Sequence, residues 1–356
     1  MKKALIASTA LVLTAGVAAA DVTISGYGRT GVIYYESDDD SININESRVQ
    51  SRVRMNIDAS TSTDQGVDFG ARVRLQWDQG GLDDDLLNRL RGVEGITLDE
   101  FLNSQNGTGA EPNAGKLYVT ASGLTVEVGN VDTAMDSSGL IYATELGAYD
   151  RSVGFSGVVG AFFAYSARPY VLEQIDRLGI RAVYAIDNLT VQASYIDPDQ
   201  SGRISDLVDE DGEVLFPNTE EEFGVAVDYT WNERLELSAA YTKDGLGIAD
   251  NDIFFIGARY AVMENARIGL NYVDTPDEDE NGGVGNTFAL YGDYTLADGL
   301  TNIEAYIANN DRDSNETDTS FGVGVNYDLG GARLGASLQS DYQERITADM
   351  GVRFDF

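Results

Sequence analysis

The sequence predicts an all-β chain, a membrane-spanning antiparallel up-and-down β-barrel, on three observations. Strand-length segments alternate between apolar and polar residues, short turns alternate with long acidic connections, and after the first twenty residues no stretch is apolar for long enough to cross a bilayer as a helix. The final segment states the pattern most clearly. Ile346, Ala348, Met350, Val352, Phe354 and Phe356 are apolar, whereas Thr347, Asp349, Gly351, Arg353 and Asp355 are polar or lack a side chain. Such a strand offers one face to an apolar medium and the other to water.

The elements follow in chain order. Met1-Lys2-Lys3, a mostly apolar run from Ala4 to Ala15 and the small residues Ala18-Ala19-Ala20 before Asp21 form the pattern of a secretory signal cleaved between Ala20 and Asp21. Residues 1–20 are therefore expected to be removed, leaving 21–356 as one barrel domain. Loss of Lys2 and Lys3 takes the formal charge from −35 to −37, a surface that repels nucleic acid and anionic lipid and weighs against both as partners. The chain has no cysteine and no histidine, which excludes disulfides, thiolate or imidazole metal sites, and Ser-His-Asp or Cys-His catalysis. No enzymatic activity is expected.

Val22 to Tyr34 supplies a first strand. Val49, Val53, Met55, Ile57 alternating with Gln50, Arg52, Arg54, Asn56, then Val67, Phe69, Val73, Leu75 alternating with Asp68, Arg72, Arg74, make a hairpin across a short polar turn. The unit recurs through Asp187-Asn188, Met263-Glu264-Asn265 and Gly330-Gly331 to the end. Direct counting gives eighteen strands: 22–34, 47–59, 66–77, 116–121, 124–129, 151–156, 161–167, 180–186, 189–196, 222–231, 235–242, 253–262, 266–273, 287–296, 301–308, 319–328, 332–340 and 345–356. Segments 151–156 and 161–167 are the weakest, so sixteen stands beside eighteen. Either number encloses an aqueous lumen.

Long acidic connections at 36–45, 197–221, 274–283 and 309–318 alternate with tight turns, as in barrels of outer-membrane type. The face opposite the apolar one carries Arg259, Arg267, Asn271, Glu304, Asn326, Arg333 and Gln339, too polar for a dry core, so water is expected to fill the interior. In hydrocarbon a sheet must close on itself, which assigns 345–356 to pair with Val22–Tyr34. On this reading the sequence stops at a lipid-facing Phe356 because its last strand is the closing one.

The stretches SGYGRTGVIYY, SRVRMNIDASTSTDQGVDFGARVRLQ, GKLYVTASGLTVEVGNVDTA, NYDLGGARLGASL and GVRFDF resemble the general diffusion porins of the Gram-negative outer membrane, particularly those of alphaproteobacteria. The resemblance implies sixteen strands, a homotrimer, and a third loop folded into the barrel, here Gly129 to about Asp150. It implies an acidic lip of Asp132, Asp136, Glu145 and Asp150 opposite a basic ladder of Arg29, Arg52, Arg54, Arg72 and Arg74, with Arg48 as an outer member. It further implies that Phe356 is read by the barrel assembly machinery.

Independently of that resemblance, parity puts Arg52, Arg54, Arg72 and Arg74 on one face of one hairpin, where like charges destabilise unless something negative opposes them. An acidic loop would produce a transverse field across a wet neck, while local pairing to Asp58 and Asp68 is the alternative. The stretch 82–104 looks partly helical; the resemblance implies that it is the second external loop, a latch onto a neighbouring subunit, and a solvated cap is the alternative.

DLVDEDGEV and PDEDEN have carboxylates suited to Ca²⁺, which would serve to bridge them to anionic lipopolysaccharide, though without EF-hand spacing; otherwise no cofactor is expected. GVGVNYDLGG lies in a strand and turn, unsuited to a dinucleotide. Asp83-Asp84-Asp85 lies in a loop with no sign of a glycosidase pocket. The leading function is passive diffusion of ions and small hydrophilic solutes. A substrate-specific channel, such as an eighteen-stranded sugar channel, is the alternative, distinguished by aromatics along the lumen. An outer-membrane hydrolase lacks the histidine its usual mechanism needs.

Overall fold

A computed structural model describes residues 21–36, 46–79, 111–112, 115–155, 158, 160–165, 177–202, 220–276 and 283–356. The expected signal segment, the helical reading of 82–104, the Asp83–Asp85 run and most of both Ca²⁺ candidates lie outside the described residues.

The strands are β1 (Asp21–Tyr35), β2 (Ser47–Ser62), β3 (Asp68–Gln79), the two-residue β4 (Glu111–Pro112), β5 (Lys116–Ala121), β6 (Leu124–Gly129), β7 (Leu178–Ile186), β8 (Leu189–Asp197) and β9 (Glu222–Trp231). They continue as β10 (Leu235–Lys243), β11 (Ile253–Met263), β12 (Ala266–Asp274), β13 (Thr287–Thr295), β14 (Thr301–Asn310), β15 (Thr319–Asp328), β16 (Arg333–Ser340) and β17 (Ile346–Asp355). Because β4 and β5 both pair with β3, the wall has sixteen positions. Every ladder is antiparallel, and β17 pairs with β1 from Tyr27↔Asp355 to Tyr35↔Thr347. Beyond it, Gly26 and Phe356 exchange backbone hydrogen bonds of 2.7 and 3.0 Å. The ring is closed by β17 on β1, so the first and last strands leave no free edge between them to face lipid.

Sequence chemistry accounts for the tight turns. Ser122 and Gly123 take φ of 51° and 83°, giving the two-residue link from β5 to β6. Asp187 and the Asn232-Glu233 pair likewise sit at positive φ between their strands.

Burial is inverted relative to a soluble sheet. Along β9, Phe223, Val225, Val227, Tyr229 and Trp231 are exposed while the residues between them face inward. Met350 is 67 % exposed on β17. Outward aromatics cluster at both strand ends, with Tyr229, Trp231, Tyr260, Tyr294 and Tyr327 at the tight-turn end. At the other end Tyr195 meets Phe223 at 5.1 Å and Tyr272 meets Phe288 at 4.4 Å between ring centroids. Two aromatic belts flanking an apolar band are what a bilayer requires.

Two expectations are corrected. Segments 151–156 and 161–167 form no strand in their described residues, apart from a single bridge between Leu146 and Arg151, so eighteen becomes sixteen. Their Val153, Phe155 and Phe162 join Met135, Leu140, Ile141 and Leu146 in a buried cluster against inward residues of the far wall, among them Ala226, Phe255, Val273 and Tyr306. Apolar residues needed for this one-sided burial mimic strand alternation. The inward-folded segment accordingly runs past Asp150 to Tyr165, and the interior is not wholly wet: a dry cluster seals the segment onto β9–β14. Each fully buried Leu, Ile or Phe stabilises that docking by about 1.5–3 kcal/mol.

Candidate functional site

With one side of the lumen sealed, polar chemistry concentrates on the side formed by β16, β17, β1, β2, β3 and β5. The register stacks it in rows. Arg333, Arg353, Arg29 and Arg52 are successive cross-strand neighbours, ending at Asp78. The next row towards the tight turns is Asp355, Tyr27, Arg54 and Gln76. Below it Asn56 faces Arg74, and then Asp58, Arg72 and Lys116 stand side by side.

The arginines divide by what holds them. Arg52 bonds to Asp78, and Arg72 reaches Asp58 at 2.7 Å. Arg54 donates to the Gln76 amide oxygen at 2.7 Å. Arg74 donates to the Asn56 amide oxygen at 2.8 Å and to the Tyr165 carbonyl at 3.4 Å. Arg29 donates to the Tyr149 carbonyl at 2.6 Å. Arg48, at the outer end, lies 4.8 Å from the Tyr35 ring centroid. Asp68 receives Ser62 rather than an arginine. Local carboxylate pairing therefore covers Arg52 and Arg72, whereas Arg29, Arg54 and Arg74 keep their charge against neutral acceptors.

The four acids of the inward segment also divide. Asp132 lies 3.4 Å from Lys116 Nζ and 3.6 Å from Arg181 Nη1, in a network completed by Glu127. Asp150 bonds Arg333 at 2.5 Å and also Arg353. Asp136 accepts from the Tyr142 hydroxyl, and burial, then the charge of Asp132, raises its pKa. Burial, then the nearby Asp150, pushes Glu145 up to about 8 despite Arg29 and Arg353. Two acids are thus held by cations, and in the other two burial shifts the balance towards the neutral form, further for Glu145 than for Asp136.

Side chains of the wall fix the segment's backbone. Ala134 N–H donates to Ser194, Gly139 N–H to Asp228, Ala148 N–H to Asp349, Val153 N–H to Gln339 and Phe163 N–H to Glu222, at 2.8–3.1 Å. Asn271 returns a bond to the Leu140 carbonyl at 2.7 Å. Sequence reasoning missed these supports, together with Arg353 and the tyrosines. Arg353 was within reach, because pairing the last strand with the first puts it beside Arg29.

A family model described as Gram-negative porin matches residues 7–345. The chain belongs to the Gram-negative porin family. Porins are outer-membrane diffusion channels, and this one provides a path for ions and small hydrophilic solutes. It is 37 % identical over 340 residues to a porin of Fuscovulum blasticum, covering 94 % of this chain and all of that one. To a porin of Rhodobacter capsulatus it is 25 % identical over 354 residues, with 94 % and 100 % covered. Among solved structures, a triple mutant of the Rhodopseudomonas blastica porin superposes with a TM-score of 0.73 at 34 % identity, covering 94 % of this chain and 100 % of that one. Among the described residues no helix is long and apolar enough to cross a membrane, and no group of three or more His, Cys, Asp or Glu is placed to hold a metal.

Proposed function

We propose that solutes pass by passive diffusion through a wet gap between the inward segment and the arginine wall, with no chemical step. Arg29, Arg54 and Arg74 set a positive field across the gap, and Arg48, Arg52 and Arg72 extend the wall above and below. Asp136 and Glu145 form the titratable lip, while Asp132 near the start of the segment and Asp150 near its middle tie it to cations. What carries this reading is that Arg54 and Arg74 donate to the amide oxygens of Gln76 and Asn56 rather than to carboxylates. Their charge remains available to a passing anion.

The same reading takes the working form as a homotrimer in outer-membrane lipid and lipopolysaccharide, exported by a leader cleaved between Ala20 and Asp21. The barrel assembly machinery would read Phe356. No cofactor takes part. Reversal potentials in planar bilayers test the field: Arg54→Gln with Arg74→Gln should lower the chloride-to-potassium permeability ratio at least about twofold. An unchanged ratio would remove both arginines from the conducting path.

A further inference from the structure

We propose that Tyr27, Tyr149 and Tyr165 are positioning residues for charge selectivity, holding the wall's arginines by their ring faces so that those charges are fixed without being cancelled. The inference rests on the pore reading above and concerns the same wall.

A carboxylate fixes a guanidinium but cancels its net charge, leaving only the weaker field of a dipole beyond the pair. An aromatic ring attracts the same cation through its quadrupole and adds no net charge. The wall uses both devices, and among the described residues only Arg353 has both. Those bonded to carboxylates are Arg52, Arg72, Arg333 and Arg353. Among the described residues no carboxylate bonds Arg29, Arg54 or Arg74, and each of these lies over a tyrosine. The Arg29 guanidinium carbon is 5.1 Å from the Tyr149 centroid and 5.9 Å from that of Tyr27. Arg54 is 5.4 Å from Tyr27, and Arg74 is 4.1 Å from Tyr165. All fall within the roughly 6 Å over which the attraction acts.

Tyr27 is the centre of the arrangement, because Arg353 also stands 4.3 Å from its ring. Three guanidinium groups from β1, β2 and β17 thus share one aromatic side chain on β1. In the register Arg29 has Arg52 on one side and Arg353 on the other, so repulsion alone would drive these side chains apart and towards the nearest acids. Acids stand beside this row, since Asp78 bonds Arg52 and both Asp150 and Asp355 bond Arg353. Removing the ring therefore favours pairing, and pairing cancels charge.

The test compares Tyr27→Leu, which deletes the ring, with Tyr27→Phe, which keeps it, in the full-length protein in planar bilayers bathed in potassium chloride. The readout is the chloride-to-potassium permeability ratio, which is independent of how many channels insert. Leu should lower that ratio at least about twofold and Phe should restore most of it. If both variants match a conducting parent, or if Phe shifts the ratio as far as Leu, the ring is not the holding element and the inference fails while the pore reading stands. If Tyr27→Leu does not assemble, Tyr165→Leu against Tyr165→Phe puts the same question to Arg74, with the same two outcomes. A parent that forms no ion-conducting pore would instead sink the pore reading, and this inference with it.

Discussion

Glu145 shows how one side chain can make the neck sensitive to pH. It is held mostly away from water beside Asp150, with Arg29 and Arg353 on its other side and Asp136 further along the segment, and burial pushes it up to about 8. Its carboxyl is neutral below that pH and charged above it. Ionisation adds a negative charge facing two arginines of the wall, so anion preference falls as pH rises through about 8. The stability sign is the same. An acid whose folded pKa is raised binds more protons folded than unfolded between about 4.5 and about 8, so stability declines as pH rises across that window and levels off above it. Reversal potentials from about pH 6 to about pH 10 should show this step in the parent and not in Glu145→Gln; a step that persists in the variant belongs to another group. Parity alone makes the face shared by Arg52, Arg54, Arg72 and Arg74 legible. The partner of each is not, because whether an arginine meets Asp58, Gln76 or Tyr165 depends on register and on a segment folded in from elsewhere.

The inward segment is the element on which this neck depends, and two forces hold it. An apolar cluster presses it on the far wall, and buried side chains of several strands satisfy its backbone. Asp349 of β17 is one such support, accepting from Ala148 N–H at 2.9 Å and from Ser337. Truncating it leaves a buried N–H without a partner, a loss of about 1–3 kcal/mol. Asp349→Ala should therefore leave the barrel folded and the apolar cluster docked, yet raise open-channel current noise and speed proteolysis near residues 147–151. Parent-like noise and cleavage would mean that the apolar cluster suffices. The two kinds of element differ in how far the sequence reveals them. A strand such as β9 declares itself because its outward residues all answer to one medium and its partner lies one turn away. The segment from 130 to 165 does not, because its Phe155 and Phe162 are buried against strands far along the chain. Local alternation cannot separate that burial from a strand facing lipid.

At the scale of the molecule, two fields of opposite sign compete. The sequence has a formal charge of −35, whereas the rows from Arg333 to Arg74 are basic. Closure of β17 on β1 is what assembles those rows, since Arg353 and Arg29 belong to opposite ends of the chain. That closure follows from the demand that no strand edge meet hydrocarbon, so fold and field share one cause. Which field a permeating ion senses depends on screening. In about 1 M salt the Debye length is roughly 3 Å, and only the arginines lining the gap act on the ion. In about 0.01 M salt it is roughly 30 Å, comparable with the whole barrel, and the net negative charge draws potassium towards the mouth. The chloride-to-potassium permeability ratio should therefore fall as the salt is diluted over that range. Arg54→Gln with Arg74→Gln should flatten the dependence by lowering the high-salt end. A parent ratio that instead rises on dilution would mean that the arginine wall dominates at every distance, and that the acidic remainder of the chain lies too far from the path to influence it.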